Sequence, residues 1–132
     1  MALANLLKVS LFALAVGLFG CERPVSFAGD VQAIFEASCV ECHDNSAEGS
    51  AASGFSMVDY DSIMKGTKFG PVIIPNSSIS STLYLVIAGQ TGPEIQMPPQ
   101  HENAWAEGRG TPLSEKQIDI IASWIDQGAQ NN

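Results

Sequence analysis

The sequence predicts a small all-α protein, and three features of the chain lead to that class. A first segment, 27–38, carries apolar residues at helical spacing. A last segment, 113–128, combines a capping signature with an amphipathic stripe. Two shorter stretches between them have a capping residue at one end and a glycine at the other. We therefore expect a few helices with irregular connections around one core.

The first helix is expected over 27–38. Its apolar face would consist of Phe27, Val31, Ile34 and Phe35. Ser26 stands where a hydroxyl would cap the first turn. This helix would deliver the next five residues, 39–43, at its C-terminal end.

The last helix has the most complete set of local signals. Ser114 and Gln117 form a capping box, and Leu113 is placed to contact Ile118 across the first turn. Gly128 is expected to end the helix. The predicted apolar stripe consists of Ile118, Ile121, Ala122 and Ile125.

Two short helices are expected in between, each with a capping side chain before it and a glycine after it. The pairs are Asp59 with Gly66 around 60–65, and Ser80 or Ser81 with Gly89 around a helix that reaches Ala88. The stretch 45–53 is rich in Ser, Ala and Gly and is predicted to be a flexible loop. The stretch 70–76 contains two prolines and is predicted to be irregular.

The segment Cys39-Val40-Glu41-Cys42-His43 is the attachment sequence of a c-type haem. Two thiols at this spacing each add to one vinyl group of the haem, and the adjacent imidazole then lies where it binds iron. Other uses of CxxC are a redox dithiol, half of a zinc site, or a structural disulfide. No βαβ pattern accompanies the motif, and only Cys21 and His101 remain as further zinc ligands. We expect one covalent haem c.

The N-terminus is expected to be an export signal. Lys8 precedes an apolar run, 9–19, that is too short to span a bilayer, which needs about 20 apolar residues. Leu18-Phe19-Gly20-Cys21 resembles a bacterial lipobox, in which the cysteine is lipidated. Plain secretion would leave an odd cysteine in an oxidising compartment. A retained signal anchor is the third alternative.

These features divide the chain into three parts. Residues 1–20 would be a lipoprotein-type signal peptide, 21–26 the lipidated N-terminus with a short tether, and 27–132 the haem domain. The protein would then be anchored to a membrane in the periplasm or cell envelope. Removal of 1–20 takes away one lysine, Lys8, and no acidic residue, so the net charge moves from −8 to −9. Such a charge disfavours nucleic acid and favours redox partner proteins with a basic docking patch.

The iron needs a second axial ligand or an open site. The candidates are Met57, Met64, Met97 and His101. Met57 and Met64 stand among apolar residues, as core methionines do. Met97 precedes Pro98 and Pro99, which stiffen the backbone and hold a thioether toward a metal. His101 and an open site remain alternatives.

The order of these parts resembles that of class I cytochromes c, and the nearer resemblance is to the planctomycete-type cytochrome c domain. The segments that resemble this family are 54–66, 74–84, Met97-Pro98-Pro99 and 124–129. The resemblance implies haem attachment at Cys39 and Cys42, with His43 and Met97 on the iron. The segment 100–111, with His101 and Trp105, is longer than the family pattern needs.

The resemblance also implies a role for a proline. In class I cytochromes a proline carbonyl usually accepts a hydrogen bond from the second ring nitrogen of the iron-bound histidine, and Gly70-Pro71 resembles that element. A plain loop proline is the alternative for Pro71. The single CxxCH motif, the Met97 candidate and the lack of a distal catalytic constellation in the sequence favour electron transfer by a non-enzymatic monohaem protein. A haem sensor or peroxidase-like enzyme with a labile sixth ligand is the alternative function.

Overall fold

In a computed structural model, residues 23–100, 102, 106, 108 and 110–132 are described, and this part of the chain is helical. Its α-helices include α1 (Gln32–Ser38), α2 (Val40–His43), α3 (Glu48–Ser53), α4 (Tyr60–Lys65), α5 (Thr82–Ile87) and α6 (Glu115–Asp126). No β-strand forms within the described residues, where Thr67 and Gly70 make an isolated bridge. The predicted all-α class is confirmed.

The first predicted helix is present, but it begins as a π-helical turn over Phe27–Val31 before continuing as α1. The hydroxyl of Ser26 accepts a hydrogen bond from the Gly29 N–H at 3.0 Å, so the predicted cap is confirmed. Because α1 ends at Ser38, the cysteine motif starts at its C-terminus as expected.

Helix α6 carries the capping box that the sequence predicts. The Gln117 N–H donates to Ser114 Oγ at 3.3 Å, and Gln117 Oε1 accepts from the Ser114 N–H at 2.9 Å. After the helix, Gly128 has a φ of 97°, a left-handed conformation that glycine adopts without steric cost. The end of α6 is therefore confirmed to within one residue.

The two short helices are also confirmed. Asp59 Oδ1 accepts from the Ser62 N–H at 2.7 Å, and α4 ends at Gly66, whose φ is 81°. Helix α5 follows Ser81 and is capped at its end by Ala88.

Ser81 does not cap α5 with its side chain. Its hydroxyl donates to the Ser77 carbonyl at 2.8 Å and accepts from the Ile74 N–H at 2.8 Å. Since Ser81 is completely buried, these bonds hold the irregular segment 70–76 against the core.

The prediction of a flexible loop over 45–53 is wrong for Glu48–Ser53, which forms α3. Asp44 Oδ1 accepts hydrogen bonds from the N–H groups of Ser46 and Ala47, both at 2.6 Å. This turn precedes the helix and brings its first residue into register. Because α3 depends on such contacts, its composition, rich in Ser, Ala and Gly, did not predict a helix.

The core is centred on Trp124, which is fully buried on α6. Its ring lies 5.4 Å from Phe27, 6.3 Å from Phe35 and 6.4 Å from Tyr60, measured between ring centroids. These distances are typical of favourable aromatic pairs. The aromatic cluster therefore joins the first turn, α1, α4 and α6.

The first and last described segments pair with each other. Ser26 Oγ donates to the Asn132 carbonyl at 2.7 Å, and the Val25 N–H donates to Gln127 Oε1 at 2.8 Å. Among the described residues, no helix is long and apolar enough to cross a membrane. The predicted signal peptide and tether, with Cys21, lie outside the described residues except for 23–26.

Candidate haem site

A cavity of about 610 Å³ brings together all five predicted site residues that the structure describes. They are Cys39, Cys42, His43, Pro71 and Met97. Apolar side chains from α5 and from the segments around it complete much of the wall, including Val72, Leu83, Val86, Ile87 and Leu113. The volume lies in the range of roughly 300–1,000 Å³ that cofactor pockets occupy.

Helix α2 places the two cysteines and the histidine within a single turn. Cys39, with a φ of −130°, lies between α1 and α2. Its carbonyl accepts hydrogen bonds from the N–H groups of Cys42 at 3.1 Å and His43 at 2.9 Å. Since residues three apart lie on one helix face, both thiols reach the same cavity.

The environment of Cys39 disfavours a redox dithiol. Burial raises the pKa of the Cys39 thiol to about 12, and the neighbouring Cys42 adds to the shift. Catalytic CxxC motifs depend on a cysteine with a lowered pKa, because the thiolate is the nucleophile. This thiol is therefore poorly suited to disulfide exchange.

The imidazole of His43 contacts a backbone carbonyl. Its Nδ1 atom lies 3.2 Å from the carbonyl oxygen of Phe55. A carbonyl only accepts, so this hydrogen bond requires the proton on Nδ1. In the neutral ring Nε2 then keeps its lone pair, which is the atom available to a metal.

Phe55 is a site residue that the sequence analysis missed. Pro71 lines the cavity, but the carbonyl that meets His43 Nδ1 is that of Phe55, and the predicted role of Pro71 is corrected accordingly. The cause is the path of the chain after α3: Gly54, with a φ of 74°, turns the backbone so that the next carbonyl faces the imidazole. Since every residue has a carbonyl, only this glycine after the Ser and Ala stretch was a usable signal.

The backbone of His43 is held from the same side. Its carbonyl accepts a hydrogen bond from the Met57 N–H at 2.7 Å. A Cβ atom on Gly49 would lie 2.5 Å from the Cys42 carbonyl oxygen and 2.9 Å from His43 Cε1. The absence of a side chain on Gly49 therefore lets α3 pack directly against the histidine.

Met97 lies half-buried in the cavity wall, packed against the core cluster. Pro98 and Pro99 follow it in the wall, and the Met97–Pro98 peptide bond is cis. The Gln100 side-chain amide donates to the carbonyls of Pro98 and Gly110, both at 2.9 Å. This amide therefore joins the backbone at Pro98 to the backbone at Gly110.

The other sixth-ligand candidates divide in two groups. Met57 is 4% exposed in the core, although it also lines the cavity, and Met64 is half-buried against the core. Both positions agree with packing. His101 and Trp105 lie outside the described residues. Among the described residues, no group of three or more His, Cys, Asp or Glu side chains could hold a metal ion.

A haem fits this arrangement. The cavity is large enough and mostly apolar, and two thiols at attachment spacing lie in its wall. The Phe55 carbonyl beside His43 Nδ1 favours the tautomer that leaves Nε2 for iron. The fold and site together define a small helical domain of the c-type haem protein class.

Comparison with known proteins agrees with that class. Residues 39–101 match the family described as Planctomycete cytochrome C, which confirms the resemblance read from the sequence. The chain is thus similar to cytochrome c-type proteins over just under half of its length, and that family implies a covalently bound haem c.

A solved structure of Kuenenia stuttgartiensis hydrazine synthase is similar in fold, with a TM-score of 0.54 and 25% sequence identity. The similarity covers 86% of this chain but 17% of that chain. No curated protein matches.

Proposed function

We propose that this protein is a monohaem electron carrier, with haem attached at Cys39 and Cys42 and with His43 and Met97 as axial ligands. The observation that carries the proposal is that the attachment motif and Met97 line the same cavity. The Nδ1 atom of His43 in that motif faces a backbone carbonyl. The bound haem supplies one-electron chemistry at iron.

The residues of the chain would serve that chemistry by keeping the coordination unchanged. Two thioether bonds would fix the porphyrin to α2, and His43 would be held by the Phe55 and Met57 backbone. An unchanged ligand set keeps reorganisation small when iron gains or loses an electron. Binding of iron by the methionine sulfur of Met97 would also raise the reduction potential relative to two nitrogen ligands.

Absorption spectroscopy of the purified protein tests the proposal. We expect a Met-to-ferric-iron charge-transfer band in the oxidised protein and no rapid binding of carbon monoxide to the reduced protein. Rapid carbon monoxide binding would favour the alternative, a sensor or enzyme with a labile sixth position. The similar hydrazine synthase is named as an enzyme, but this chain corresponds to a small part of it.

The proposed partners are redox proteins with a basic docking patch. The support is the net charge of −8 over the full chain. Small redox reagents of opposite charge serve as probes. Electron exchange with cationic hexaammineruthenium should slow as salt increases, whereas exchange with anionic ferricyanide should accelerate. Equal salt responses for the two reagents would contradict a charge-selected partner.

Export as a lipoprotein anchored at Cys21 is part of the same proposal, supported by the sequence of residues 1–21. Metabolic labelling with a fatty-acid analogue should mark the wild type and leave it in the membrane fraction. Cys21→Ser should lose the label and release the protein. A soluble, unlabelled wild type would indicate plain secretion.

A further inference from the structure

We propose that Ser50 tunes the electron-donating strength of His43 by sharing the acceptor of its Nδ1 hydrogen bond. The inference rests on the proposed function, since it requires His43 to bind the haem iron. It assigns to α3, the helix that the sequence had indicated as a loop, a part in setting the reduction potential.

The shared acceptor is the carbonyl oxygen of Phe55. Ser50 Oγ donates to this oxygen at 2.8 Å, while His43 Nδ1 lies 3.2 Å from it. A carbonyl oxygen has two lone pairs and accepts two donors, but each donor withdraws electron density that the other would use. The Ser50 contact is the shorter of the two, so His43 makes the weaker hydrogen bond to this oxygen.

The surrounding bonds keep the carbonyl in place if the serine hydroxyl is removed. The Phe55 N–H donates to Ser53 Oγ at 3.1 Å, and the Gly54 N–H donates to the Ser50 carbonyl at 2.7 Å. On the other side, the Met57 N–H holds the His43 carbonyl at 2.7 Å. Loss of the Ser50 hydroxyl should therefore change the strength of the His43 bond more than its geometry.

The direction of the effect follows from the chemistry of the imidazole. A stronger Nδ1–H···O bond makes the ring a better electron donor at Nε2. A better donor stabilises ferric over ferrous iron. By competing for the Phe55 carbonyl oxygen, Ser50 weakens the His43 hydrogen bond and keeps the reduction potential higher.

Ser50→Ala in the haem-loaded protein tests this directly. We expect the equilibrium constant for reduction to fall about threefold, because the free energy involved is smaller than that of one full hydrogen bond. For one electron this factor corresponds to a potential lower by about 28 mV. Proton NMR of the reduced protein should show the His43 Nδ1 proton moving downfield as its bond strengthens. Ser50→Thr retains a hydroxyl and should restore both readouts.

Ser46→Ala is the matched control, because the Ser46 hydroxyl lies in the same segment but donates to Asp44 Oδ1. It should leave the potential and the proton shift unchanged. If Ser50→Ala moved the potential no more than Ser46→Ala, or raised it, the inference would be overturned. If Ser50→Ala fails to hold haem, Ser50→Thr becomes the test. A potential and a His43 proton shift equal to those of the wild type support the proposal, and altered values contradict it. A wild type without covalent haem would contradict the proposed function itself.

Discussion

The backbone N–H of Met97 donates a hydrogen bond to the Val86 carbonyl on α5, at 3.1 Å. Both residues line the cavity, so this bond fixes the loop that contains Met97 to α5, which forms the neighbouring wall. Two prolines directly after Met97 further restrict the backbone. The loop is thus positioned by α5 as well as by its own sequence.

Replacing Met97 should change the iron site while the covalent haem stays in place. Met97→His should lower the midpoint potential by about 0.1 V or more, within the roughly 0.8 V that axial ligands span. Met97→Ala should open a position for carbon monoxide or cyanide. Redox titration and absorption spectra measure both effects.

The controls for Met97 are the other sixth-ligand candidates. Met57→Leu, Met64→Leu and His101→Ala should leave the low-spin spectrum unchanged, since the first two side chains pack against the core. The assignment is wrong if Met97→Ala keeps the wild-type spectrum and one of these three variants loses it.

Gly49→Ala should disturb the histidine. The new Cβ would lie 2.5 Å from the Cys42 carbonyl oxygen and 3.0 Å from His43 Nε2, distances that require backbone or ring movement. We expect a loss of about 1–3 kcal/mol in the free energy of unfolding, as for other overpacked sites, and an altered Soret spectrum.

Gly92→Ala is the matched control for Gly49. The nearest atom to its new Cβ is the flexible end of Glu94, at 2.6 Å, which can move away. Urea denaturation and spectra should show little change. Equal effects of the two substitutions would argue against close packing of α3 on His43.

Ser114→Ala should destabilise the protein by removing the capping box of α6. The expected loss is about 1 kcal/mol in the free energy of unfolding, measured by urea denaturation. Ser123→Ala, an exposed position on the same helix, should be neutral or slightly stabilising, because alanine favours helix more than serine. Comparable losses in both variants would contradict a specific role for the cap.

The parts of the fold that the sequence predicted well depend on partners close along the chain. The capping pair of α6 and the Asp59 cap of α4 each involve residues three apart. The haem attachment motif is equally local. Such signals are visible without knowledge of the tertiary structure.

The parts that were missed depend on tertiary contacts. Helix α3 has a weakly helical composition and packs on His43 through a glycine, which no propensity indicates. Phe55 contributes a backbone carbonyl to a histidine twelve residues away, and its side chain gives no sign of that role. The predicted partner was therefore Pro71, a residue whose type suggested it.

The most direct measurement of the central claim is mass spectrometry of the denatured wild-type protein and its peptides. We predict one haem that remains attached after denaturation, on the peptide containing Cys39 and Cys42, and its loss or weakening in Cys39→Ala and Cys42→Ala. A wild type with the mass of the bare polypeptide and a disulfide between Cys39 and Cys42 would contradict the account.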